Sequence, residues 1–165
     1  MVLDEPAAGA IERAETRRRG RTIERRRLLA RYTAAEDVPI TLITAPAGYG
    51  KTVLLDQIEA LEQDRGRPLE RIVVAPAAGE PSHAGTLAAR LSALLQTAVG
   101  GSAPALMLVD DAQNLAPGVL QALLLRAPSV RWVIASRGEP GLRLGRVRAL
   151  DELLELGVED LAFSD

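Results

Sequence analysis

Short apolar runs alternate along the chain with longer segments whose apolar residues recur at helical spacing. Four runs predict strands, because they are short, rich in aliphatic residues and bounded by turn residues: ITLIT at 40–44, RIVVA at 71–75, ALMLVDD at 105–111 and RWVIASR at 131–137. A fifth strand is predicted for ELLEL at 152–156. The runs are almost continuously apolar, which is typical of parallel strands that are covered on both faces.

The segments between these strands predict helices. Helical spacing of apolar residues is clearest over residues 51–64 and 86–99, and a proline in the first turn is compatible with a helix over 117–126. Residues 11–32 also permit a helix. Strands that alternate with helices in this way predict an α/β fold with a mainly parallel sheet and right-handed crossovers.

Composition limits the kinds of chemistry available. The 165 residues predict one domain, and only four of them are Phe, Trp or Tyr, so the core should be aliphatic. Cysteine is absent and His83 is the lone histidine, which disfavours disulfides, a Cys-ligated metal, a histidine metal site and a Ser-His-Asp triad. No apolar run approaches the ~20 residues that span a bilayer, and no secretory signal is recognisable, so we expect a cytoplasmic protein without a membrane partner.

The net charge of −2 is unevenly distributed along the chain. Residues 11–31 contain nine arginines and three glutamates, a charge of +6, and the remainder carries −8. Such asymmetry can mark a surface that contacts nucleic acid. A solvated basic helix or a flexible arm is the favoured interpretation, because no aromatic residues interleave with the arginines as stacking platforms. We therefore predict a flexible basic segment over residues 1–21.

The stretch TAPAGYGKT, between the first predicted strand and helix, is typical of a phosphate-binding loop. Glycines let the backbone approach a polyphosphate, and the helix N-terminus adds a partial positive charge. Lys51 would reach the β- and γ-phosphates, and the Thr52 hydroxyl would ligate Mg²⁺. The strict pattern has glycine where Ala45 stands, but that position requires only a small residue. Tyr49 either shields the phosphates, contacts a partner or packs within the loop. The candidate nucleotide-binding residues of the loop are Ala47, Gly48, Tyr49, Gly50, Lys51, Thr52 and Val53.

Two further predicted strands end in polar side chains that complement such a loop. Asp110 and Asp111 follow the third apolar run, where Asp110 would hold Mg²⁺ and Asp111 would polarise an attacking water. An ordinary turn or helix cap is the alternative. Arg137 follows the fourth run and would sense the γ-phosphate if that strand lies beside the first; an ordinary surface arginine is the alternative. Lys51, Asp111 and Arg137 are therefore the candidate catalytic residues, at the strand ends where parallel sheets bind ligands.

These residues, in this order, resemble the nucleotide-binding domain of the LuxR-type ATP-dependent transcriptional regulators, the maltose-regulator-like branch of the STAND class of P-loop NTPases. The resemblance lies in ITLITAPAGYGKTVLL, LMLVDDAQNL and the segment from LLLRAPSVRW to LAFSD. It implies a three-layer α/β/α fold with the ASCE-type strand order 5-1-4-3-2 and makes Arg137 the sensor. IERRRLLARY is similar to the family's segment before the first strand, which implies that Ile23 and Arg25 frame the adenine.

The sequence also departs from the family pattern. The segment between the second and third predicted strands is short and lacks the family's aromatic residues, and Gln113 stands where the family usually has histidine. We expect the P-loop ATPase domain over residues 22–165, without the lid, the sensor repeats or the helix-turn-helix domain.

Motifs and resemblance together predict an ATP-binding domain whose slow Mg²⁺-dependent hydrolysis serves as a switch in transcriptional or signal regulation. A non-hydrolysing nucleotide-binding module that acts on a partner protein is the alternative, and a nucleic-acid contact through the basic N-terminal segment is a third hypothesis. The expected ligands are ATP or ADP with Mg²⁺, and the absence of a guanine-specific Asn-Lys-x-Asp motif favours ATP. The expected partner is a regulatory protein or a second copy of the chain; this chain alone does not support a DNA contact.

Overall fold

Strands and helices alternate through residues 23–76 and 105–162, the part of the chain that the computed structural model describes. The elements, in chain order, are helix α1 (Arg26–Ala34), strand β1 (Ile40–Thr44), helix α2 (Lys51–Asp64), strand β2 (Leu69–Val73), strand β3 (Leu106–Asp110), a short 3-10 helix (Ala112–Asn114), helix α3 (Val119–Arg126), strand β4 (Arg131–Ser136), helix α4 (Gly145–Ala149), strand β5 (Leu153–Leu156) and helix α5 (Val158–Leu161).

The strands form one parallel sheet in the order β2-β3-β4-β1-β5. Ile40 of β1 lies opposite Trp132 of β4 on one side and Leu153 of β5 on the other. Leu106 of β3 lies opposite Leu69 of β2. This is the predicted order 5-1-4-3-2 read from the other edge, so the predicted parallel α/β sheet is confirmed.

Two hydrophobic clusters, composed mainly of aliphatic residues, cover the two faces of the sheet. One contains Leu120 of α3 and Trp132 of β4, and the other contains Leu28 of α1, Leu54 of α2 and Leu161 of α5. Each fully buried side chain of this kind contributes about 1.5–3 kcal/mol of transfer free energy. The helices therefore lie in two layers with the sheet between them, as the resemblance implied.

Strand alternation decides which polar side chains face α2. Leu106 and Leu108 of β3 pack in the cluster that contains α2. Because successive side chains in a strand point to opposite faces, Asp110 lies on that same face. The acid that follows the apolar run is thus directed towards the helix that begins at the phosphate loop.

Local signals predicted some element boundaries better than others. β1 and α2 have the predicted bounds. β2 begins and ends two residues before the predicted strand at 71–75, because its register with β3 begins at Leu69. α3 begins at Val119, two residues later than predicted, because Gly118 adopts a left-handed conformation with φ 82°.

Several sequence-based predictions concern residues outside the described ranges. They are the flexible basic segment over 1–21, most of the helix-permissive segment 11–32, and the helix over 86–99. Only the end of the 11–32 segment is described, and it forms α1. Within residues 23–76 and 105–162, no helix combines the length and the apolar character needed to cross a membrane.

A buried charged network joins α1, α2 and β4 at the end of the sheet opposite the phosphate loop. Glu62, at the end of α2, is fully buried, and its carboxylate lies 3.2 Å from Arg65, 3.2 Å from Arg67 and 4.0 Å from Arg131. The guanidinium of Arg131 also stacks 4.2 Å from the centre of the Tyr32 ring. Burial raises the pKa of the Tyr32 hydroxyl, although the charge of Arg131 opposes that shift. This network therefore stabilises α1, α2 and β4 at the end of the sheet that is farther from the phosphate loop.

Candidate functional site

The loop between β1 and α2 turns through two glycines. Gly48 and Gly50 lie in the left-handed region, with φ of 89° and 78°, which residues with side chains rarely adopt. Ala45 is buried, and its N–H donates to the carbonyl of Ser136 at 3.2 Å. Its methyl group packs in the α2-side cluster. A small residue is therefore sufficient at Ala45, and glycine is not required there.

Lys51, the first residue of α2, folds back over this loop. Its Nζ donates to the carbonyls of Ala45 at 2.7 Å and Pro46 at 2.8 Å, and the residue is 7% exposed. Burial lowers the pKa of Lys51, the charge of Arg137 acts in the same direction, and the carboxylates after β3 oppose it. The ammonium group thus lies at the loop among neutral acceptors, which a phosphate oxygen could replace.

Thr52 and Val53 complete the first turn of α2. Thr52 is exposed and Val53 is half-buried. The hydroxyl of Thr52 is therefore accessible at the positive end of the helix dipole. Its predicted role as a metal ligand stays a prediction.

The two acids after β3 have different environments. Asp110 is 3% exposed; its Oδ1 accepts the N–H of Asp111 at 3.0 Å, and its Oδ2 accepts from Nη2 of Arg71 at 3.2 Å. Asp111 adopts a left-handed conformation, with φ 55°, immediately before the 3-10 helix. Its side chain is 31% exposed. One carboxylate is therefore almost completely buried, and the other is partly exposed.

Gln113 joins the ends of β3 and β4. Its Nε2 donates to Oδ1 of Asp111 at 2.8 Å, and its Oε1 accepts the backbone N–H of Arg137 at 2.9 Å. Nε of Arg137 lies 3.6 Å from the same Oδ1. Sequence reasoning noted Gln113 only as a departure from a family histidine and missed this bridging position. A polar side chain two residues after Asp111 was the available signal.

Arg71 is a second residue that sequence reasoning missed. From β2 its Nη1 donates to Asp56 at 2.6 Å and Glu59 at 2.8 Å, both on α2, while Nη2 donates to Asp110. Burial by itself would lower the pKa of Arg71, but the hydrogen bonds to Asp56 and Glu59 raise it overall. An arginine at the first position of the predicted strand 71–75 was the signal in the sequence.

Arg25 ties the phosphate loop to α5. It is 8% exposed, and its Nη2 donates to the carbonyl of Tyr49 at 3.0 Å and to that of Leu161 at 2.6 Å. Its backbone N–H donates to Gln57 of α2 at 2.9 Å. Ile23 is 65% exposed, and its carbonyl accepts from the same glutamine. The structure brings Arg25 to the loop and leaves the Ile23 side chain largely in solvent.

An open pocket of about 380 Å³ adjoins the loop on the α5 side. It is lined by Ala47, Gly48, Tyr49, Leu161 and Ala162. Apolar walls beside a glycine-rich loop suit the ring system of a ligand whose charged end occupies the loop. Ile23 and Arg25, predicted to frame the adenine, are not among the lining residues.

The oxygen donors near the loop suit Mg²⁺ in type. Thr52 has an exposed hydroxyl, and Asp110 has a carboxylate on the sheet face that is covered by α2. Mg²⁺ prefers hard oxygen ligands of this kind. Within the described ranges no cluster of three or more His, Cys, Asp or Glu could hold a metal. A metal here would therefore depend on phosphate oxygens as well as on protein groups.

The chain is similar to a transcriptional regulator. No family model matches it. It is 29% identical over 172 residues to the HTH-type transcriptional regulator MalT of Klebsiella pneumoniae strain 342 and of Klebsiella pneumoniae subsp. pneumoniae strain ATCC 700721 / MGH 78578. The match covers 87% of this chain and 19% of each relative, so the chain spans about a fifth of their length.

Solved structures with a related fold include the E. coli MS115-1 HORMA:CdnC:Trip13 complex. That match has a TM-score of 0.50 and 15% identity, and covers 72% of this chain and 47% of that chain. AMPPCP-bound DnaA from Aquifex aeolicus has a TM-score of 0.45 and 20% identity, and covers 72% of this chain and 40% of that chain. The parallel sheet with its phosphate loop after β1 is the P-loop NTPase fold, as predicted.

Proposed function

We propose that this chain is an ATP-binding P-loop domain whose slow Mg²⁺-dependent hydrolysis acts as a nucleotide switch in transcriptional or signal regulation. The loop carries this proposal, because Lys51 lies within 2.8 Å of two loop carbonyls and Asp111 and Arg137 flank each other at neighbouring strand ends. Similarity to the regulator MalT over 87% of the chain supports the regulatory context and the maltose-regulator-like STAND assignment.

Polyphosphate binding would use the loop and the start of α2. Backbone N–H groups at a helix N-terminus attract phosphate, and Lys51 would exchange its two carbonyl acceptors for phosphate oxygens. The nucleoside would then extend into the pocket beside Tyr49 and Leu161. Arg25 stabilises this pocket, because its guanidinium donates hydrogen bonds to the backbone carbonyls of Tyr49 and Leu161.

Hydrolysis would use the residues at the ends of β3 and β4. Mg²⁺, when bound, supplies charge neutralisation on the phosphates, and Thr52 and Asp110 are the residues that would hold it. Asp111, oriented by Gln113, would polarise the attacking water. Arg137 would contact the γ-phosphate and lose that contact in the ADP state. A contact that differs between ATP and ADP is what allows a nucleotide to bias a conformation.

A non-hydrolysing module that regulates a partner protein is the second candidate. It is favoured by the pairing of both acids with arginines, Asp110 with Arg71 and Asp111 with Arg137. Either function would act through a regulatory protein or through self-association. The nucleic-acid contact proposed for the basic segment 1–21 concerns residues outside the described ranges.

Calorimetry with ATP, ADP and GTP, each with and without Mg²⁺, tests nucleotide binding. We expect ATP and ADP to bind, and Lys51→Ala to weaken both by about tenfold or more. Arg126→Ala, on the exposed end of α3, is the matched control. If the wild-type chain binds no nucleotide, the proposal fails.

Turnover assays distinguish the ATPase from the non-hydrolysing module. If the chain is an ATPase, Asp111→Asn should abolish hydrolysis but not nucleotide binding. If the wild type hydrolyses ATP only at the background rate, the non-hydrolysing module is the supported function.

A further inference from the structure

Arg71 reaches from the middle of β2 across the sheet face that carries α2. Its guanidinium lies 2.6 Å from Asp56, 2.8 Å from Glu59 and 3.2 Å from Asp110, and its side chain is 17% exposed. Three carboxylates from two different elements thus meet at one cation. The two contacts to α2 hold the guanidinium in place, so Asp110 meets a positioned charge rather than a mobile one.

Asp110 needs such a countercharge because it is almost completely buried. Its side chain is 4% exposed, and an unpaired carboxylate in that environment is strongly disfavoured. Arg71 engages Oδ2, while the N–H of Asp111 engages Oδ1. Both oxygens of the candidate metal ligand therefore accept hydrogen bonds from the protein itself.

The position of Arg71 relative to Thr52 follows from the helix. Asp56, which binds Arg71, lies four residues after Thr52 and therefore about one helical turn away on the same face. The guanidinium thus lies 3.2 Å from Asp110 and contacts the face of α2 that carries Thr52, and these are the two residues that would hold a metal ion. A dication in that place would be repelled by Arg71 and would share a carboxylate with it.

We propose that Arg71 is a positioning residue that holds Asp110 and weakens Mg²⁺ binding at the nucleotide site. The inference rests on the proposed function, since it concerns the metal that accompanies the nucleotide. Its consequence is a domain that holds nucleotide with little help from Mg²⁺. A purely structural role for Arg71, linking β2, α2 and β3, would change stability and leave the metal dependence of binding unaltered.

The test measures ADP affinity by calorimetry with and without Mg²⁺, and counts bound Mn²⁺ by electron paramagnetic resonance in the presence of ADP. Arg71→Met removes the charge and keeps most of the side-chain volume. The measured quantity is the ratio of the ADP affinity with Mg²⁺ to the ADP affinity without it. We expect this ratio to be about tenfold larger in Arg71→Met than in the wild type, because the repulsion between Arg71 and the metal ion is removed. Arg71→Lys retains the charge and should stay near the wild type.

Arg67→Met is the matched control. Arg67 also bridges two carboxylates, at 2.5 Å from Glu36 and 3.2 Å from Glu62, but it lies at the other end of α2. Its loss should leave the Mg²⁺ dependence unchanged. Circular dichroism and thermal melting establish that each variant is folded, and Arg71→Gln replaces Arg71→Met if the latter is not.

The outcomes distinguish this inference from the proposed function. A folded, neutral Arg71 variant with wild-type Mg²⁺ dependence overturns the inference. So does a wild-type chain whose ADP affinity already rises about a hundredfold or more with Mg²⁺, whatever the variants do. A wild-type chain that binds no nucleotide under either condition rejects the proposed function itself.

Discussion

Nε of Arg137 lies 3.6 Å from Oδ1 of Asp111, and this ion pair joins the carboxyl ends of β4 and β3. Gln113 bonds to both partners, to the carboxylate of Asp111 and to the backbone N–H of Arg137. The candidate sensor and the candidate water-activating acid are therefore parts of one hydrogen-bonded unit. A γ-phosphate that attracts Arg137 would release Asp111 from the pair, which couples sensing to activation in the proposed mechanism.

Replacing Gln113 by leucine should slow ATP hydrolysis about tenfold while leaving ADP affinity near the wild-type value. The reason is that Asp111 loses the donor that orients it, whereas the phosphate loop is untouched. Turnover and ADP calorimetry measure the two effects separately. Gln121→Leu is the control, since Gln121, on α3, likewise accepts a backbone N–H, that of Arg143 at 3.0 Å. Equal losses in both variants would contradict the bridging role.

Lys51 should be protected from amine-reactive labelling by ATP or ADP. It is the only lysine in the sequence, so mass spectrometry reports on this side chain without interference from others. Burial lowers its pKa, so its labelling should begin at a lower pH than that of an ordinary lysine near 10.4. Bound phosphates would cover the amine and favour its charged form. The N-terminal amine serves as the internal control, and equal labelling with and without nucleotide would show that Lys51 is not at the binding site.

Arg25→Met should weaken ADP binding about tenfold, because the carbonyls of Tyr49 and Leu161 lose a charged donor and both residues line the pocket. Fluorescence or calorimetric titration with ADP measures the loss. Arg31→Met is the matched control: Arg31 also joins α1 to the α5 region, through an ion pair with Asp160, but it does not touch the loop. If both variants bind ADP as the wild type does, Arg25 has no part in shaping the pocket.

The stability of the fold should fall above about pH 10 through Tyr32, whose ordinary pKa is near that value. Burial raises the pKa of Tyr32 in the folded state, so its contribution is complete below the unfolded pKa and is lost as pH rises beyond it. Each pH unit in that range should remove about 1.4 kcal/mol from the free energy of unfolding. Arg131, Glu62 and Arg67 are the charged groups that act on the hydroxyl.

Urea unfolding between pH 8 and 11 measures this dependence against Tyr32→Phe, which lacks the titrating group. The difference between the two slopes isolates Tyr32 from the other groups that titrate in this range. Tyr49→Phe, at the half-buried tyrosine of the phosphate loop, is the control. Parallel slopes for the wild type and Tyr32→Phe would reject a raised pKa.

The sequence by itself determined the elements whose signals are local. The apolar runs predicted the parallel sheet and its strands, and the glycines before Lys51 predicted a loop that turns into a helix, with β1 and α2 at their observed bounds. It also predicted that Asp110 and Arg137 lie at the carboxyl ends of two strands, and the family resemblance implied that these strands are neighbours. These predictions succeed because backbone sterics and side-chain periodicity act over a few residues.

Only the tertiary structure decided which side chains meet at the site. The hydrogen-bonded pair Arg71 and Asp110 is 39 positions apart in the sequence. Gln113 and Arg137 are 24 positions apart, and Arg25 and Leu161 are 136 positions apart. Such contacts depend on strand register and on which helix covers which face, and no local pattern encodes them. The chain's own residues predicted a phosphate loop, and the packing of distant segments supplied the arginines and the glutamine that hold the loop and its acids in position.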